Sequence, residues 1–495
     1  MATSDTTLID PSGADNPPPG AITPLPLPAG ELPVASFELP GGRTWRAGTL
    51  SYTRGGLLTL FLCLLGGDFF WQLRERALAP TIPVLLRQFG ASDFMTALLQ
   101  GTIAPALAIF LAPVISYRSD RYRSRLGRRI PFLLVATPPA FLAMMGLALS
   151  PWLGRWAHQL LGAHSPGLVT CVIGMFTLAW LIFDVAVIIT NCVHGALVND
   201  VVPREVMGTF FGWFRAASLG AGMLFMYFLF GKIEQHYVAI FLSIGLFYLV
   251  CFTVMCLLVR EGDYPPPPPP VEGGPLGRFF EAAAAYFREC LTKKYYLWFF
   301  LSFFLAYMAF QPVNLFSVYF SESVGMSKKT YGYWSTIQFA LSLAQAPIVG
   351  WLADKVHPLR LTMAALLFYG LTTGVAYLYV HDVGTFAAAH VICGTISGFW
   401  LTATAPLAPA LLPKLKFATF ASALIIAQSL AQIVASPIIG WIVVRVNHGR
   451  PPALRDYHVI YAWACVFITL SLVVTLVVHK YFMQYGGRRN YVAPE

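Results

Sequence analysis

The 495-residue chain is 57% hydrophobic and 11% charged, with a net charge of +10 and a mean hydropathy of +0.64. A soluble domain carries about 25% charged residues, so these figures exclude a soluble protein, a soluble enzyme included. The positive charge lies mainly in short segments between apolar runs, which speaks against nucleic acid as a partner.

The chain opens with Asp5, Asp10, Asp15, Glu31 and Glu38 among many prolines, without Lys or Arg before residue 41. A signal peptide needs a basic start and a short apolar run, so residues 1–54 are expected to form a disordered cytosolic tail. Twelve apolar runs follow, near 56–86, 92–117, 130–150, 167–192, 206–230, 238–259, 295–320, 331–353, 360–380, 385–412, 418–445 and 457–479. Each is long enough for a transmembrane helix, and none alternates like a barrel strand. Between the sixth and seventh lies a linker, 260–294. Its six-proline run is expected to be extended, and FFEAAAAYFREC reads as a short amphipathic helix on the membrane surface. The sequence therefore predicts an all-α membrane protein, twelve transmembrane helices in two six-helix halves, 55–259 and 295–480, with a tail over 481–495.

The halves echo each other. Pro113 and Asp120 in PVISYRSDRYRS are seven apart, as are Pro347 and Asp354 in PIVGWLADKVHPLR, 234 residues later. An internal repeat of this kind points to a transporter with its substrate site at the repeat interface. With both termini placed in the cytosol, 22 of the 33 Lys and Arg fall on the cytosolic side and 8 on the other. The positive-inside rule supports that orientation, in the cell membrane. The eight cysteines lie mostly in apolar runs without a CxxC pair. They read as small buried hydrophobes, and neither a disulfide frame nor a metal site is expected.

The stretch SDRYRSRLGRRIPF resembles the cytosolic loop of major facilitator superfamily transporters, G-x-x-x-D-R-x-G-R-R. Ser116 replaces the first Gly, and four extra residues separate Asp120 from Gly127. That longer form is similar to the sucrose/proton symporter branch and the related glycoside-pentoside-hexuronide group. FDVAVIITNCVHGALVND resembles the symporters' L-D-V-A…A-L-x-x-D segment, with Asp184 and Asp200 sixteen apart and Asn191 at its amide position. Gly195 stands where that branch usually has Arg. GGDFFWQLRERALAPTIP is similar to its G-x-E-F segment at Asp68 and Phe69, and departs at Arg74. The resemblance spans roughly residues 50–480 and implies a major facilitator fold. It also implies that Asp120, Arg121, Gly127, Arg128 and Arg129, with Asp354 and Lys355 in the repeat, gate the cytosolic side.

Charges in a bilayer core cost about 2.5–3.5 kcal/mol each on insertion scales, so they are candidate sites. Asp68, Gln72 and Glu75 share one face of the first helix. The run Arg74–Glu75–Arg76 is either part of that site or a water-facing end, if Pro80 and Pro83 stop the buried helix early. Asp184 is a lone carboxylate in the apolar fourth span, a candidate to take and release a proton. A fixed ion pair with Arg215 is the plainer reading, and both hold together if the cycle exchanges Asp184–Arg215 for protonated Asp184, with Arg215 then part of the proton-coupling set. Asp68 is the next candidate for proton coupling. Asn191, Gln311, Asn314, Gln338 and Gln432, with Gln345 and Gln428 beside them, add amides. Amides and aromatic rings suit a polyhydroxylated ligand, although each amide singly could be an interhelical hydrogen bond. His194 reads as a helix-end residue. No phosphate-cradling glycine loop appears, so neither ATP hydrolysis nor a cofactor is expected.

The expected function is sugar or glycoside transport in symport with H⁺, by alternating access, in a monomer embedded in the lipid bilayer. The alternatives are efflux or Na⁺-coupled transport of another solute, or a non-transporting assembly factor built on the same fold. Asp68, Asp184 and Arg215 weigh against the last, since a scaffold has no use for such costly groups.

Overall fold

Lipid offers no hydrogen-bond partner to a polypeptide backbone, so an apolar run that crosses it closes its own bonds as a helix. The structure, a computed structural model, describes residues 44–264, 292–413, 417–451 and 454–494. Among the described residues, eleven helical runs are long and apolar enough to span a membrane. One of them, Arg204–Leu258, has 55 residues. A straight helix of that length would measure about 80 Å, against about 30 Å of hydrocarbon. It breaks at the tight turn Phe230–Lys232 and at His236, whose φ is −125°, and both of its legs pack on the first helix. Twelve spans result among the described residues.

They are α1 (Arg54–Gln88), α2 (Asp93–Arg121), α3 (Ile130–Leu161), α4 (Leu168–Val201), α5 (Met207–Leu224) and α6 (Ile233–Leu258) in the first half. The second half holds α7 (Lys294–Ser323), α8 (Lys328–Val356), α9 (Pro358–Tyr379), α10 (Val383–Thr404), α11 (Phe417–Val446) and α12 (Val459–Gln484). Side-chain caps start several of them. Ser92 accepts from the Met95 amide, Ser327 from Thr330, and Asp382 forms a capping box with Thr385.

The expected tail lies outside the described residues as far as residue 43, and so do the proline run and surface helix, 265–291. The tail's end is not disordered. β1 (Trp45–Ala47) and β2 (Leu50–Tyr52) form an antiparallel hairpin, because Trp45, Leu50 and Tyr52 pack against the first half's core.

Pro80 and Pro83 do not end α1. Pro83 has no N–H for the Ala79 carbonyl four residues back. Gln100 Nε2 donates to that carbonyl instead at 3.1 Å, and the Tyr319 hydroxyl donates to the Pro83 carbonyl at 2.6 Å. The bond from Gln100 of α2 replaces the one Pro83 cannot make, and the helix runs through.

The halves meet along α2–α11, α5–α8 and α1–α7. Glycine allows the closest approaches. A Cβ on Gly101 of α2 would fall 1.9 Å from Ser436 Oγ of α11, and one on Gly332 of α8 would fall 2.2 Å from the Met226 carbonyl oxygen beyond α5. Both seams lie toward the end carrying the α1–α2 and α7–α8 turns, called here the far end. The N-terminus of α1 and the C-terminus of α12 lie at the opposite, terminus-bearing end. Since backbone cannot step aside as a side chain can, Gly332→Val should cost about 1–3 kcal/mol, the usual range for overpacking. The purified variant is expected to unfold at a lower temperature than the wild type, whereas Gly350→Val, with open space around its Cβ, should not.

Candidate functional site

A cavity of about 490 Å³ lies between the halves, lined by Arg76, Pro80 and Pro83 of α1, Arg215 of α5 and residues of α7, α8, α9 and α10. Its two walls differ. The second half supplies amides, hydroxyls and rings, among them Asn314, Ser335, Gln338 and Tyr369. The first half supplies two guanidinium groups, Arg76 and Arg215, close enough to repel each other.

Behind the arginine wall runs a polar stripe on α1. Asp68 is wholly buried. Its Oδ1 accepts from Gln72 Nε2 at 3.4 Å, and its Oδ2 has no partner among the described residues. Gln72 Oε1 accepts from the Ser218 hydroxyl at 2.9 Å, and Ser218 accepts from Arg76 Nη2 at 3.0 Å. Arg74 is also wholly buried. It bonds to Glu75 at 2.8 Å and lies between the rings of Phe183 and Tyr248, 5.1 and 4.4 Å from their centroids. The water-facing reading fails for Arg74, because α1 continues beyond its prolines; Glu75 stays 37% exposed and Arg76 lines the cavity.

Asp184 on α4 is buried, with Oδ2 unpartnered among the described residues. The Arg215 ion pair is not formed. Glu75 is the charged group that interacts with Asp184, while Arg215 turns to the cavity. Adjacency of α4 and α5 in sequence did not fix which faces meet. Asn314 and Gln338 line the cavity. Gln311 instead donates to Ser436 at 3.1 Å and Gln345 to the Thr395 carbonyl at 2.7 Å, both interhelical bonds. Asn191 is exposed on α4, and Gln428 and Gln432 are half-buried on α11, apart from the cavity lining.

Sequence reasoning missed His390. It is half-buried in the cavity wall of α10, with Nδ1 3.1 Å from Ser317 Oγ and Nε2 2.9 Å from Ser335 Oγ. A lone histidine in an apolar run, AAAHVICG, was the available signal. His194 is no helix-end residue. It sits inside α4 against Trp71, Phe214 and Phe252.

The arginine-rich loop at the terminus-bearing end has its own logic. Gly127 takes φ +107°, and a Cβ there would lie 2.5 Å from the Glu261 carboxyl carbon. Glu261 accepts from the backbone amides of Arg128, Arg129 and Ile130 at 3.0, 2.8 and 2.7 Å, an anion seated on the N-terminus of α3. Arg128 grips Asp200 through Nε and Nη2, and Arg129 bonds to Asp120 at 2.5 Å, Asp200 at 3.3 Å and Ser119. Partial burial opposes it, but the Asp200 carboxylate keeps the Arg128 pKa above its ordinary value. These bonds tie α2, α3, α4 and the end of α6 together within one half. Arg121 is the last residue of the α2 helix. In the repeat, Lys355 lies 3.9 Å over the Trp351 ring, and the Asp354 side chain lies outside what is described.

The far end is pinned across the halves. Asp93, 3% exposed, accepts from Arg455 at 3.0 Å and from Tyr457 at 3.1 Å, and lies 3.4 Å from Arg87. Arg87 also pairs with Glu322 at 2.7 Å and stacks 3.6 Å over Tyr319. Lys328 joins Glu234 to Glu322.

Residues 89–416 match the family model described as MFS/sugar transport protein. The chain belongs to that family. This transporter is also similar to a protein of Homo sapiens named proton-associated sugar transporter A, with 36% identity over 113 residues. That match covers 23% of this chain and 15% of the relative's length. Solved structures of other transporters share the fold. A point mutant of the nucleoside transporter NupG aligns at TM-score 0.62 and 10% identity, over 85% of this chain and 99% of its own. A bacterial homologue of the iron transporter ferroportin, inward-facing, aligns at 0.61 and 17%, again over 85% and 99%. A POT family transporter aligns at 0.61 and 14%, over 87% and 96%. Their substrates are theirs. What carries over is a multi-pass membrane transporter of the major facilitator fold.

Asp93→Ala should loosen the far end, since removing one partner of a buried pair costs about 3–5 kcal/mol. Cys393 lines the cavity and reports on it. A membrane-impermeant maleimide applied from the far face is expected to label Cys393 faster in the variant, read by mass spectrometry.

Proposed function

We propose that this transporter carries a sugar or glycoside together with a proton, by alternating access, with both termini in the cytosol of a cell-membrane protein. The observation that carries the reading is the pair of buried carboxylates, Asp68 and Asp184, each with an unpartnered oxygen behind a cavity walled by amides, hydroxyls and rings. Hydroxyl-rich ligands match such a wall, because every amide and hydroxyl can donate and accept. The name of the human relative is in keeping with it.

The terminus-bearing face is then cytosolic, the far-end ion pairs close the outside, and the arrangement described is inward-open. Asp120, Arg121, Gly127, Arg128 and Arg129, with Asp354 and Lys355, shape the cytosolic gate. In this arrangement Arg128 and Arg129 are held inside the first half by Asp200 and Asp120. Closing the cytosolic side would bring this rim against the second half. Asp184 is the coupling group and Asp68 the next. A charged carboxylate without a partner is costly at bilayer depth, and a bound proton removes that cost. The swing between states is favoured when proton and sugar are bound together or when both have left, which is the differential binding that coupling requires. Arg215, Asn314 and Gln338 face the ligand, with Gln72 and Glu75 behind them. Asn191, Gln311 and Gln432 lie outside the cavity lining of this arrangement and would meet a ligand only if the helices rearranged.

Two experiments test this. Reporter fusions after residues 129 and 490 should both read cytosolic, and an external readout at 129 would reverse the orientation. In vesicles, sucrose, melibiose, xylose and glucose, each radiolabelled, are offered with and without an imposed pH gradient. At least one should accumulate with the gradient and without Na⁺. Asp184→Asn mimics the protonated carboxyl, so exchange of that sugar should persist while gradient-driven accumulation disappears. A variant that still accumulates at the wild-type rate places the proton elsewhere.

A further inference from the structure

Ser218 has no charge and does not line the cavity, yet two hydrogen-bonding systems meet at it. It is 4% exposed on α5. Its hydroxyl donates to Gln72 at 2.9 Å and accepts from Arg76 at 3.0 Å. Gln72 in turn donates to Asp68 at 3.4 Å. The Arg76 guanidinium lines the cavity and lies 5.4 Å from the Phe339 ring centroid. Phe339 belongs to α8, in the other half. It packs against α5 at Gly222, one turn beyond Ser218, where a Cβ would come within 2.9 Å of the ring. A continuous line thus runs from a wholly buried carboxylate, through an amide and a hydroxyl, to a cavity-lining cation and then across the interface between the halves.

We propose that Ser218 is a positioning residue that transmits the protonation state of Asp68 to Arg76. The inference rests on the proton–sugar reading above. Its logic is the direction of the donors. With Asp68 ionised, Gln72 gives its N–H to the carboxylate and presents its carbonyl oxygen to Ser218. The serine proton is spent on that oxygen, so the serine lone pair faces Arg76 and holds the guanidinium back on α5. When Asp68 takes a proton it becomes a donor itself. The amide can then turn its oxygen to Asp68 and its N–H to Ser218. The serine now accepts from Gln72 and no longer donates to it; its second lone pair can still meet Arg76, but that bond loses the support of the donated proton, and Arg76 is held less tightly against α5. One proton is gained at Asp68 and no bond other than hydrogen bonds is broken. The titratable groups beside this line include Arg74, Glu75 and Arg76 on α1, Asp184 and His194 on α4, Arg215 on α5, and Tyr248 and Cys256 on α6. Among the described residues, Asp68 has only Gln72 as a side-chain hydrogen-bond partner.

The test separates coupling from carriage. It uses full-length protein in vesicles and whichever of radiolabelled sucrose, melibiose, xylose or glucose the wild type accumulates under a pH gradient. Ser218→Ala should lower gradient-driven accumulation about tenfold, equivalent to about 1.4 kcal/mol, with a much smaller loss of sugar exchange and a flattened pH profile. Ser218→Thr keeps the hydroxyl and should restore the profile. Gln72→Asn withdraws the amide from Ser218 and should reproduce the alanine phenotype, which keeps the inference open to test should Ser218→Ala fold poorly. Wild-type accumulation and pH profile in both Ser218→Ala and Gln72→Asn would overturn the relay and leave the symport reading standing. Failure of the wild type to accumulate any of the four sugars would overturn both.

Discussion

A charge held at the depth of a bilayer core can be satisfied only by another protein group or by what enters the protein's cavity. Much of this structure follows from where α1 puts its charges. Its polar turn, Asp68 to Arg76, cannot face lipid, so α1 is central, with α5, α6 and α7 against it. Arg74 is absorbed by Glu75 and two aromatic faces, a cation–π arrangement that is worth more when water is excluded. Arg76, bonded to Ser218 and 5.4 Å from the Phe339 ring centroid, and Arg215 face the cavity instead. The arginine wall of the site is thus a consequence of helix packing as much as of ligand chemistry.

The same constraint governs the backbone. An α1 with two prolines near its far end leaves acceptors that lipid cannot serve. The Ala79 carbonyl freed by Pro83 takes Gln100 of α2 as its partner, and the Pro83 carbonyl takes a further bond from Tyr319 of the other half. Tyr319 also carries the stacked Arg87 and bonds to Thr96 at 3.1 Å. Opening this end would break a cross-half set that includes the Asp93 and Glu322 pairs. Such a cooperative set gives two discrete states instead of a continuum, as alternating access needs.

Much of the fold was legible in the sequence because bilayer thickness imposes a length on every apolar run. The twelve spans follow from that single ruler. The arginine-rich loop was legible as a motif but not as a geometry. Nothing in SRLGRRIPF reveals that Glu261, more than 130 residues later, would sit on the α3 amides, since pairing between distant segments leaves no local trace. Asp184 and Arg215 show the opposite failure. Both were singled out rightly as buried or cavity groups, and the bond between them was wrong because helix adjacency says nothing about rotation. His390 went unread for want of any charged or periodic neighbour.

The repeat is similar in sequence spacing and different in mechanics. In the first half, α2 and α3 are joined by residues 122–129, held by Glu261, Asp200 and Asp120. In the second, α8 passes to α9 through His357 alone, which takes φ +95°, a conformation unfavourable for a side chain with a Cβ. Its ring packs on Phe482 of α12 at 4.6 Å, and its Nδ1 accepts from the Leu359 amide at 3.2 Å. The two halves, alike in helix count, are therefore unlike at the terminus-bearing end. The first half offers a multidentate charged rim of Arg128 and Arg129 on Asp120 and Asp200, and the second a tight one-residue corner packed on α12.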